Sequence, residues 1–412
     1  MNLQSGCRFC GTPLRVSFAD LGMSPLSNSY LAAANLNRME PFYPLHAWVC
    51  DSCLLVQLEQ FETPQNIFSD YAYFSSYSDS WLEHARKYAR DSIERFSLKS
   101  SDLVVEVASN DGYLLQYFAQ ERIPVLGVEP AANVAAVAEK RGVPTCVKFF
   151  GVQTAQELRS SGKQADLLIG NNVLAHVPDV NDFVAGLAVL LKPEGVLTVE
   201  FPHLLSLMEQ TQFDTIYHEH FSYYSFLTAE KIFAAHGLSV FDVEQLGTHG
   251  GSIRIYAAHR TSKHCVAGER VAQLRAREQA AGLDRLEAYS AFADKVKAVK
   301  RSLLLFLIRA REAGKRVVGY GAPAKGNTLL NYCGVRSDLL EYTVDRSPHK
   351  QGLYLPGTHI PIFPPDMIAR TRPEYVLILP WNLQAEIVEQ MRDVRSWGGR
   401  FVVPVPETRV LD

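Results

Sequence analysis

Residues 102–115 read DLVVEVASNDGYLL, a short apolar run followed by a polar turn and the start of a helical pattern. Further apolar runs follow at similar intervals, and the segments between them have the apolar spacing of helices. Short buried strands that alternate with helices indicate a doubly wound parallel sheet, an α/β fold of the Rossmann-like type. The predicted strands are 102–107, 124–129, 165–170 and 196–201, and the predicted helices between them are 112–121, 131–141 and 180–191.

Ligands of such sheets bind at the carboxyl ends of the strands, so the residues that follow these strands should line one crevice. The first turn has one glycine, Gly112, where a dinucleotide-binding turn has three, and the match to NAD binding is therefore poor. A small turn followed by an acidic residue at the end of the next strand suits a nucleoside cofactor without a pyrophosphate, such as S-adenosylmethionine. The predicted cofactor-binding residues are Glu106, Ala108, Asn110, Asp111, Gly112, Glu129, Asn171 and Asn172.

A cluster of polar side chains, Tyr-His-Glu-His, occupies residues 217–220. Two imidazoles, a carboxylate and a phenol provide a base, a group that orients it and an oxyanion partner, which proton abstraction next to a carbonyl requires. A metal site of the H-E-x-x-H type is disfavoured because these histidines are too close together in the chain. The alternative is an exposed polar segment, but Phe221, Tyr223 and Tyr224 follow directly and favour an aromatic-lined pocket.

Four of the seven cysteines form two C-x-x-C pairs, Cys7/Cys10 and Cys50/Cys53, separated by residues 11–49. Each pair can give two thiolates to a tetrahedral zinc ion. Two disulfides or a redox-active pair are alternatives, but a thioredoxin-like motif would lie at a strand-to-helix turn, which this segment does not show. We therefore expect a structural zinc site that holds together an N-terminal segment with little core of its own.

A second α/β unit is predicted towards the C-terminus. Residues 269–314 have a charged helical pattern that is broken near Gly282, and RVVGYGAPAKGNTLLNYCG (316–334) then predicts a strand, a Gly-rich turn and a helix. Further strands are predicted at 340–345, 358–363 and 375–379. The turn could present N–H groups and an ammonium group to a phosphate, although it is not a Walker A sequence, and the alternative is a plain turn with a solvated lysine. The predicted contacts to a nucleotide are Gly321, Ala322, Lys325 and Asn327.

The composition disfavours several kinds of partner. The chain has 412 residues, of which 47% are hydrophobic and 21% charged, an ordinary balance for a soluble protein of several domains. Lys+Arg 41 nearly balance Asp+Glu 44, so no basic field attracts nucleic acid. No apolar run approaches the roughly 18 residues of a membrane span, and the start lacks the features of a signal peptide, so we expect a cytoplasmic protein without a membrane partner.

Seven motifs, taken in order along the chain, resemble those of one family. They are the two C-x-x-C pairs, EVASNDGYLL, GVEPA, NNVLAHVPD (171–179), YHEHFSYYS (217–225), THGGSIRIY (248–256) and GYGAPAKGNT. Together they are similar to the S-adenosylmethionine-dependent C-methyltransferases of nucleotide-linked deoxysugars in antibiotic and surface-polysaccharide pathways. The resemblance implies a zinc-binding domain over 1–72, a methyltransferase domain over 73–268 and a C-terminal α/β domain over 269–412 that helps to hold the sugar nucleotide. We expect the enzyme to be a monomer.

The resemblance also implies roles for single residues. His220 would remove the proton next to the ketone, Glu219 would orient or polarise the cluster, and Tyr217 and His176 would face the developing enolate oxygen. A further tyrosine of the family site falls on Tyr71, although its run, DYAYFSSYS, holds two other tyrosines. The implied substrate is a dTDP-linked 4-keto-6-deoxyhexose that is methylated at C3, the carbon next to the ketone.

Other functions remain open at this point. Methylation at C5 of the sugar, or at an oxygen or nitrogen atom, would use the same fold and cofactor. A nicotinamide-dependent oxidoreductase of sugar nucleotides could use the C-terminal Gly-x-Gly, but the third glycine is absent. A non-enzymatic binding module with zinc and a nucleotide fold would leave Tyr-His-Glu-His without a purpose.

Overall fold

A computed structural model describes residues 6–63, 75–77 and 79–411. The chain divides into two compact units, each made of three segments. The first unit comprises Met1–Leu14, Cys50–His203 and Phe221–Asp284, and the second comprises Arg15–Val49, Leu204–His220 and Arg285–Asp412. The domains expected from the resemblance are continuous, whereas these units are discontinuous. Compactness does not test where the domains of the family begin and end, so that division stays a prediction.

The secondary structure of the described residues follows the predicted alternation. The strands are β1 Val16–Ser24, β2 Tyr43–Val49, β3 Val56–Leu58, β4 Val104–Val107, β5 Val125–Val128, β6 Thr145–Cys146, β7 Ala165–Asn171, β8 Leu191–Pro202, β9 Ser222–Tyr223, β10 Leu238–Leu246, β11 Ser252–His259, β12 Val317–Tyr320, β13 Thr343–Val344, β14 Ile362–Phe363, β15 Tyr375–Ile378, β16 Arg400–Val403 and β17 Arg409–Val410. The α-helices are α1 Asp79–Phe96, α2 Leu115–Gln120, α3 Ala132–Lys140, α4 Val152–Ser160, α5 Val180–Leu190, α6 Leu204–Glu209, α7 Phe226–Ala235, α8 Glu269–Ala280, α9 Glu287–Ser290, α10 Phe292–Glu312, α11 Ala324–Cys333, α12 Asp366–Thr371 and α13 Gln384–Gln390.

The first unit is built on a seven-stranded sheet in the order β10-β11-β8-β7-β4-β5-β6. The five consecutive strands β8, β7, β4, β5 and β6 are parallel to one another, and all four residues of the central strand β4 are buried. This parallel centre confirms the predicted α/β fold. Strand β11 pairs antiparallel with both β8 and β10, an addition that the sequence pattern did not predict.

The turn after β4 has an unusual backbone. Ala108, Asn110 and Gly112 all have positive φ, at 56°, 48° and 74°. A Cβ atom at Gly112 would lie 3.1 Å from Cγ2 of Val143. Gly112 is therefore required both by its left-handed conformation and by the close packing at this point.

The second unit contains a six-stranded sheet in the order β14-β13-β12-β15-β16-β17. Its pairs are parallel up to β16, and β17 is antiparallel. The chain leaves the central strand β12 first to one side and then to the other, so the Gly-rich turn after β12 lies at a topological switch point, where such sheets bind ligands. In the same unit Phe18 of the β1–β2 hairpin stacks on Phe292, with ring centroids 4.5 Å apart. No helix in the described part of the chain is long and apolar enough to cross a membrane.

Candidate active site and zinc centre

The four paired cysteines come together in the first unit. Their Sγ atoms all lie within 4.8 Å of one another, and the Cys7–Cys53 and Cys10–Cys50 pairs are each 3.5 Å apart. A tetrahedral zinc ion with Zn–S bonds of about 2.3 Å needs sulfur atoms roughly 3.8 Å apart. A disulfide needs about 2.05 Å, so two disulfides do not fit this geometry. The four cysteines fit a Cys₄ zinc site.

Both C-x-x-C pairs form the same turn, although their sequences differ. The N–H of the residue after each pair donates to the carbonyl oxygen of the first cysteine, from Gly11 to Cys7 at 2.9 Å and from Leu54 to Cys50 at 3.0 Å. Gly11 and Leu54 both have positive φ, at 76° and 67°. A leucine rarely adopts this conformation, so the second turn has a strained backbone. The free energy of zinc binding can offset the cost of that strain.

The predicted cofactor residues meet at the carboxyl edge of the seven-stranded sheet. One carboxylate oxygen of Glu129 accepts the N–H of Asn110 at 3.0 Å, and the other accepts the N–H of Ala131 at 2.9 Å. These bonds tie the turn after β4 to the end of β5. Burial raises the pKa of Glu129, and the two N–H donors partly offset this effect. Each carboxylate oxygen keeps a further lone pair that can accept a ligand hydroxyl.

Neighbouring side chains add acceptors to this edge. Burial raises the pKa of Glu106 well above its usual value, although the Tyr113 hydroxyl lowers it. The Oδ1 atoms of Asn171 and Asn172, at the end of β7, are buried and accept no hydrogen bond from the residues that the structure describes. Buried acceptors are normally satisfied, so two amide oxygens at a ligand-binding edge fit a polar ligand such as S-adenosylmethionine.

Two of the predicted cofactor residues also hold a protein segment. Oδ1 of Asn110 accepts the N–H of Ser75 at 2.9 Å, and Oδ2 of Asp111 accepts the Ser76 hydroxyl at 2.5 Å. Asp111 further forms an ion pair with Arg141 at 3.0 Å. Their side chains therefore hold Ser75 and Ser76, while their backbone lies in the turn after β4.

The Tyr-His-Glu-His cluster lies in the second unit, and its last histidine has defined partners. Nδ1 of His220 lies 2.9 Å from the carbonyl oxygen of Thr215, and Nε2 lies 2.9 Å from the Tyr217 hydroxyl. A carbonyl oxygen can only accept, so Nδ1 carries the proton of the neutral imidazole and Nε2 is the basic nitrogen. Both Tyr217 and His220 are half-buried, which leaves them within reach of a ligand.

The two middle residues of the cluster are turned into the protein. Nε2 of the buried His218 donates to the Pro44 carbonyl oxygen at 3.1 Å, and burial lowers the pKa of this histidine. The carboxylate of Glu219 accepts the Asn28 amide at 2.6 Å. Burial raises the pKa of Glu219 to about 7, although the Asn28 amide lowers it. Of the two histidines, His220 is therefore the more exposed to a ligand.

The Gly-rich turn of the second unit has its backbone donors occupied. The N–H of Gly321 donates to the Val344 carbonyl oxygen at 2.6 Å, and that of Ala322 donates to Asp345 Oδ2 at 2.7 Å. A phosphate cradle made of these two N–H groups would have to displace those partners. The contact of the Gly321 and Ala322 N–H groups with a phosphate therefore stays a prediction.

The two polar side chains predicted on this turn also have protein partners. The ammonium group of Lys325 donates to Asn382 Oδ1 at 2.8 Å and lies 4.5 Å from the ring centroid of Trp381. The amide of Asn327 donates to the Ser27 carbonyl oxygen at 2.5 Å. An ammonium group has three donors, so Lys325 keeps capacity for a further acceptor.

The remaining predicted catalytic residues are placed as follows. His176 is half-buried in the first unit, at the end of the short helix Leu174–His176 that follows β7. Tyr71 lies outside the described residues. Tyr217, Glu219 and His220 thus share the second unit with the Gly-rich turn, whereas His176 shares the first unit with the cofactor residues.

Sequence reasoning missed a buried charge network in the first unit. The carboxylate of Glu200 on β8, whose register partner is Asn171, contacts His84 at 3.0 Å, Arg254 at 2.6 Å and the Thr248 hydroxyl at 3.0 Å. Burial opposes its ionisation, but His84 and Arg254 bring the pKa of Glu200 down to about 2. The sequence gives little indication of this network, because its residues are far apart in the chain.

Family profiles and relatives agree with this architecture. Residues 7–68 match a family described as a zinc binding domain, residues 81–243 match one described as a methyltransferase domain, and residues 247–406 match one described as a C-methyltransferase C-terminal domain. The sheet, its acidic strand ends and the cysteine cluster thus define a methyltransferase joined to a zinc-binding domain.

One curated relative matches almost the whole chain. The C-methyltransferase NovU of Streptomyces niveus is 39% identical over 406 residues, which cover 98% of this chain and 96% of NovU. The chain therefore belongs to the family of S-adenosylmethionine-dependent C-methyltransferases, with S-adenosylmethionine as methyl donor and a structural zinc site.

More distant matches cover only part of the chain. The ubiquinone biosynthesis O-methyltransferase of Bartonella tribocorum is 28% identical over 97 residues, 23% of this chain and 39% of that protein. The crystal structure of magnesium protoporphyrin IX methyltransferase from Synechocystis PCC 6803 with bound SAH covers 43% of this chain and 83% of its own, with 17% identity and a TM-score of 0.36.

Proposed function

We propose that this enzyme methylates C3, the carbon next to the ketone, of a dTDP-linked 4-keto-6-deoxyhexose, with His220 as the base. The observation that carries the proposal is the orientation of His220. Its Nδ1 proton is held by the Thr215 carbonyl oxygen, and its Nε2 is the basic nitrogen of a half-buried imidazole. A positioned imidazole of this kind suits proton removal near neutral pH.

Each side chain of the site has one role in the proposed reaction. His220 Nε2 takes the proton from the carbon next to the ketone, and the Tyr217 hydroxyl, 2.9 Å from that nitrogen, turns to the developing enolate oxygen. His176 is proposed as a second partner of this oxygen, and Tyr71 as a further residue of the site. Glu219 orients the cluster through its bond to Asn28. When bound, S-adenosylmethionine supplies an electrophilic methyl group that the deprotonated carbon can take.

The experiment that tests this function is incubation with methyl-labelled S-adenosylmethionine and a panel of 4-keto sugar nucleotides, with NMR analysis of the products. Label at C3 of a dTDP-linked sugar supports the proposal. Label at C5, or at an oxygen or nitrogen atom, would replace it by methylation at that position. Methylation of sugars without a ketone would remove the reason for an enolate.

Glu129→Ala is expected to weaken S-adenosylmethionine binding by about 10- to 100-fold, the worth of hydrogen bonds to a charged group. The carboxylate both holds the Asn110 turn and offers lone pairs at the edge of the sheet. Calorimetry of cofactor binding measures the effect. Glu139→Ala, which removes an exposed carboxylate of α3, is the matched control and should bind as wild type does. Undiminished affinity in Glu129→Ala would remove Glu129 from the cofactor site.

We also propose that the Gly-rich turn contributes to the sugar-nucleotide site through Lys325 at the start of α11, with Gly321, Ala322 and Asn327 beside it. What supports this is the position of the turn at the switch point between β12 and β15. Lys325→Met keeps the stem that packs on Trp381 and removes the charge.

Lys325→Met is expected to raise the KM for the sugar nucleotide by about tenfold, because one charge-assisted contact to a phosphate is lost. The affinity for S-adenosylmethionine should not change. Steady-state kinetics with varied sugar nucleotide, together with calorimetry of the cofactor, measures both. An unchanged KM with a lower kcat would show that Lys325 serves only its protein partners.

A further inference from the structure

One face of α11 holds the short segment that precedes the Tyr-His-Glu-His cluster. Lys325, Thr328 and Tyr332 occupy positions i, i+3 and i+7 of this helix and therefore lie on the same side. The Thr328 hydroxyl donates to the Ile216 carbonyl oxygen at 3.2 Å, and the Tyr332 ring meets Phe213 edge-on with centroids 5.3 Å apart. The segment Phe213–Ile216 is thus held at both ends.

A buried carboxylate holds the middle of the same segment. Asp214 is fully buried, and its Oδ2 atom accepts the indole N–H of Trp381 at 2.6 Å. The Lys325 ammonium lies over the Trp381 ring, and its charge acts on Asp214. Burial nevertheless raises the pKa of Asp214 to about 6. Burying a carboxylate is costly, and the proposed chemistry does not use this one.

The held segment contains the carbonyl group that orients the base. Thr215 lies between Asp214 and Ile216, and its carbonyl oxygen accepts the Nδ1 proton of His220 at 2.9 Å. Fixing the residues on both sides of Thr215 fixes the direction of that carbonyl. A carbonyl that could turn away would allow the proton to move to Nε2, which would leave no basic nitrogen towards a ligand.

We propose that Thr328, Tyr332 and Trp381 form a clamp on Phe213–Ile216 that keeps His220 in its productive tautomer. Thr328, Trp381 and Asp214 are then positioning residues, because they act on the base through the Thr215 carbonyl. The inference rests on the proposed role of His220 as the base. The clamp explains why the Asp214 carboxylate is buried, because this group binds Trp381 next to Thr215. Through Trp381, residues of the C-terminal part of the chain then act on the base that removes the proton.

Two conservative variants test the clamp. Thr328→Val removes the hydroxyl that reaches Ile216, and Trp381→Phe removes the N–H that reaches Asp214. Both should slow exchange of the sugar's α proton with deuterated water by about five- to tenfold, the worth of one hydrogen bond. The KM for the sugar nucleotide and the affinity for S-adenosylmethionine should stay within about twofold of wild type. Nitrogen-15 NMR of His220 should show the Nδ1–H tautomer in wild type and a mixture of tautomers in both variants.

Thr371→Val is the matched control, because its hydroxyl donates to the Met367 carbonyl oxygen at 3.0 Å in the same unit and is no part of the clamp. It should keep both the exchange rate and the tautomer. Thr328→Ser keeps the hydroxyl and should restore both. If Trp381→Phe does not fold, Thr328→Val decides the question alone.

The outcomes separate the clamp from the proposed function. A wild-type tautomer in Thr328→Val overturns the clamp, whatever happens to the exchange rate. The second outcome is a mixture of tautomers in Thr328→Val while the wild-type enzyme does not exchange the α proton of any keto sugar. That outcome supports the clamp and contradicts the proposed reaction. Slower exchange accompanied by a mixture of tautomers supports both.

Discussion

His220→Asn is expected to lower kcat by about 10²- to 10⁴-fold, the usual worth of a positioned general base. Asparagine can still donate to the Thr215 carbonyl oxygen in place of Nδ1, but it has no nitrogen that can take a proton. Binding of the cofactor and of the sugar nucleotide should change by less than about twofold, because the base acts in the transition state. Steady-state kinetics and calorimetry measure these two quantities separately.

Exchange of the α proton isolates the step that His220 is proposed to perform. With S-adenosylhomocysteine bound, no methyl group can be transferred, and wild-type enzyme should exchange the α proton of the keto sugar with deuterated water. His220→Asn should abolish this exchange. Loss of kcat with wild-type exchange would place the role of His220 after proton removal.

His218→Asn is the matched control, since the two histidines are separated by one residue and only one faces outward. Nε2 of His218 donates to the Pro44 carbonyl oxygen, and its ring packs edge-on against Tyr43. This variant should lose about 1–3 kcal/mol of stability and keep the exchange. If His218→Asn stops the exchange and His220→Asn does not, the base is His218. If neither variant matters, the enolate mechanism loses its main support.

The features that could be predicted from the sequence are those that depend on neighbours in the chain. The apolar spacing around β4, β5, β7 and β8 is a local property, and the cysteine pairs are separated by two residues each. The turn after β4 and Glu129 could be placed together because parallel strands end at the same edge of a sheet. The antiparallel β11 could not, because it inserts between two strands that precede it in the chain.

The surroundings of the Tyr-His-Glu-His cluster could not be predicted for a related reason. Asn28 holds Glu219, and Thr328 holds the segment before the cluster. The partners of the cluster and of that segment therefore come from both the N-terminal and the C-terminal parts of the chain. No spacing rule connects such distant residues. The chemistry of the cluster was visible in its residue types, whereas the identity of the basic nitrogen depends on the direction of the Thr215 carbonyl.

The function of the Gly-rich turn after β12 cannot be inferred from its sequence alone, because it depends on which hydrogen bonds its N–H groups make. Its sequence suggests a cradle of N–H groups for a phosphate. In the structure Asp345, at the end of the next strand, accepts the N–H of Ala322, just as Glu129 accepts the N–H of Asn110 in the other sheet. The two sheets therefore use the same device, an acidic residue that fixes the preceding turn.

Loss of zinc is expected to have the largest effect on stability. Wild-type protein should contain one zinc ion per chain, and Cys53→Ser should lose it, because three thiolates bind a tetrahedral ion far more weakly than four. Structural zinc sites in small domains contribute on the order of 10 kcal/mol, so part of the first unit should unfold without the ion. Elemental analysis and thermal unfolding measure the two effects.

The effect should extend beyond the cysteines, because the turn formed by Cys7 and Cys10 packs on the rest of its unit. Arg8 donates to the carbonyl oxygens of Leu58 and Pro178, each at 2.8 Å, and its guanidinium lies 5.0 Å from the Phe221 ring centroid. Cys53→Ser should therefore lower Tm by about 10 °C or more, since several kcal/mol are lost in a unit of this size. Cys265→Ser, which changes a cysteine outside the cluster, should keep both the zinc and the Tm. Full stability of carefully purified protein that contains no zinc would contradict a structural metal, and the two turns would then have to be stable through these docking contacts alone.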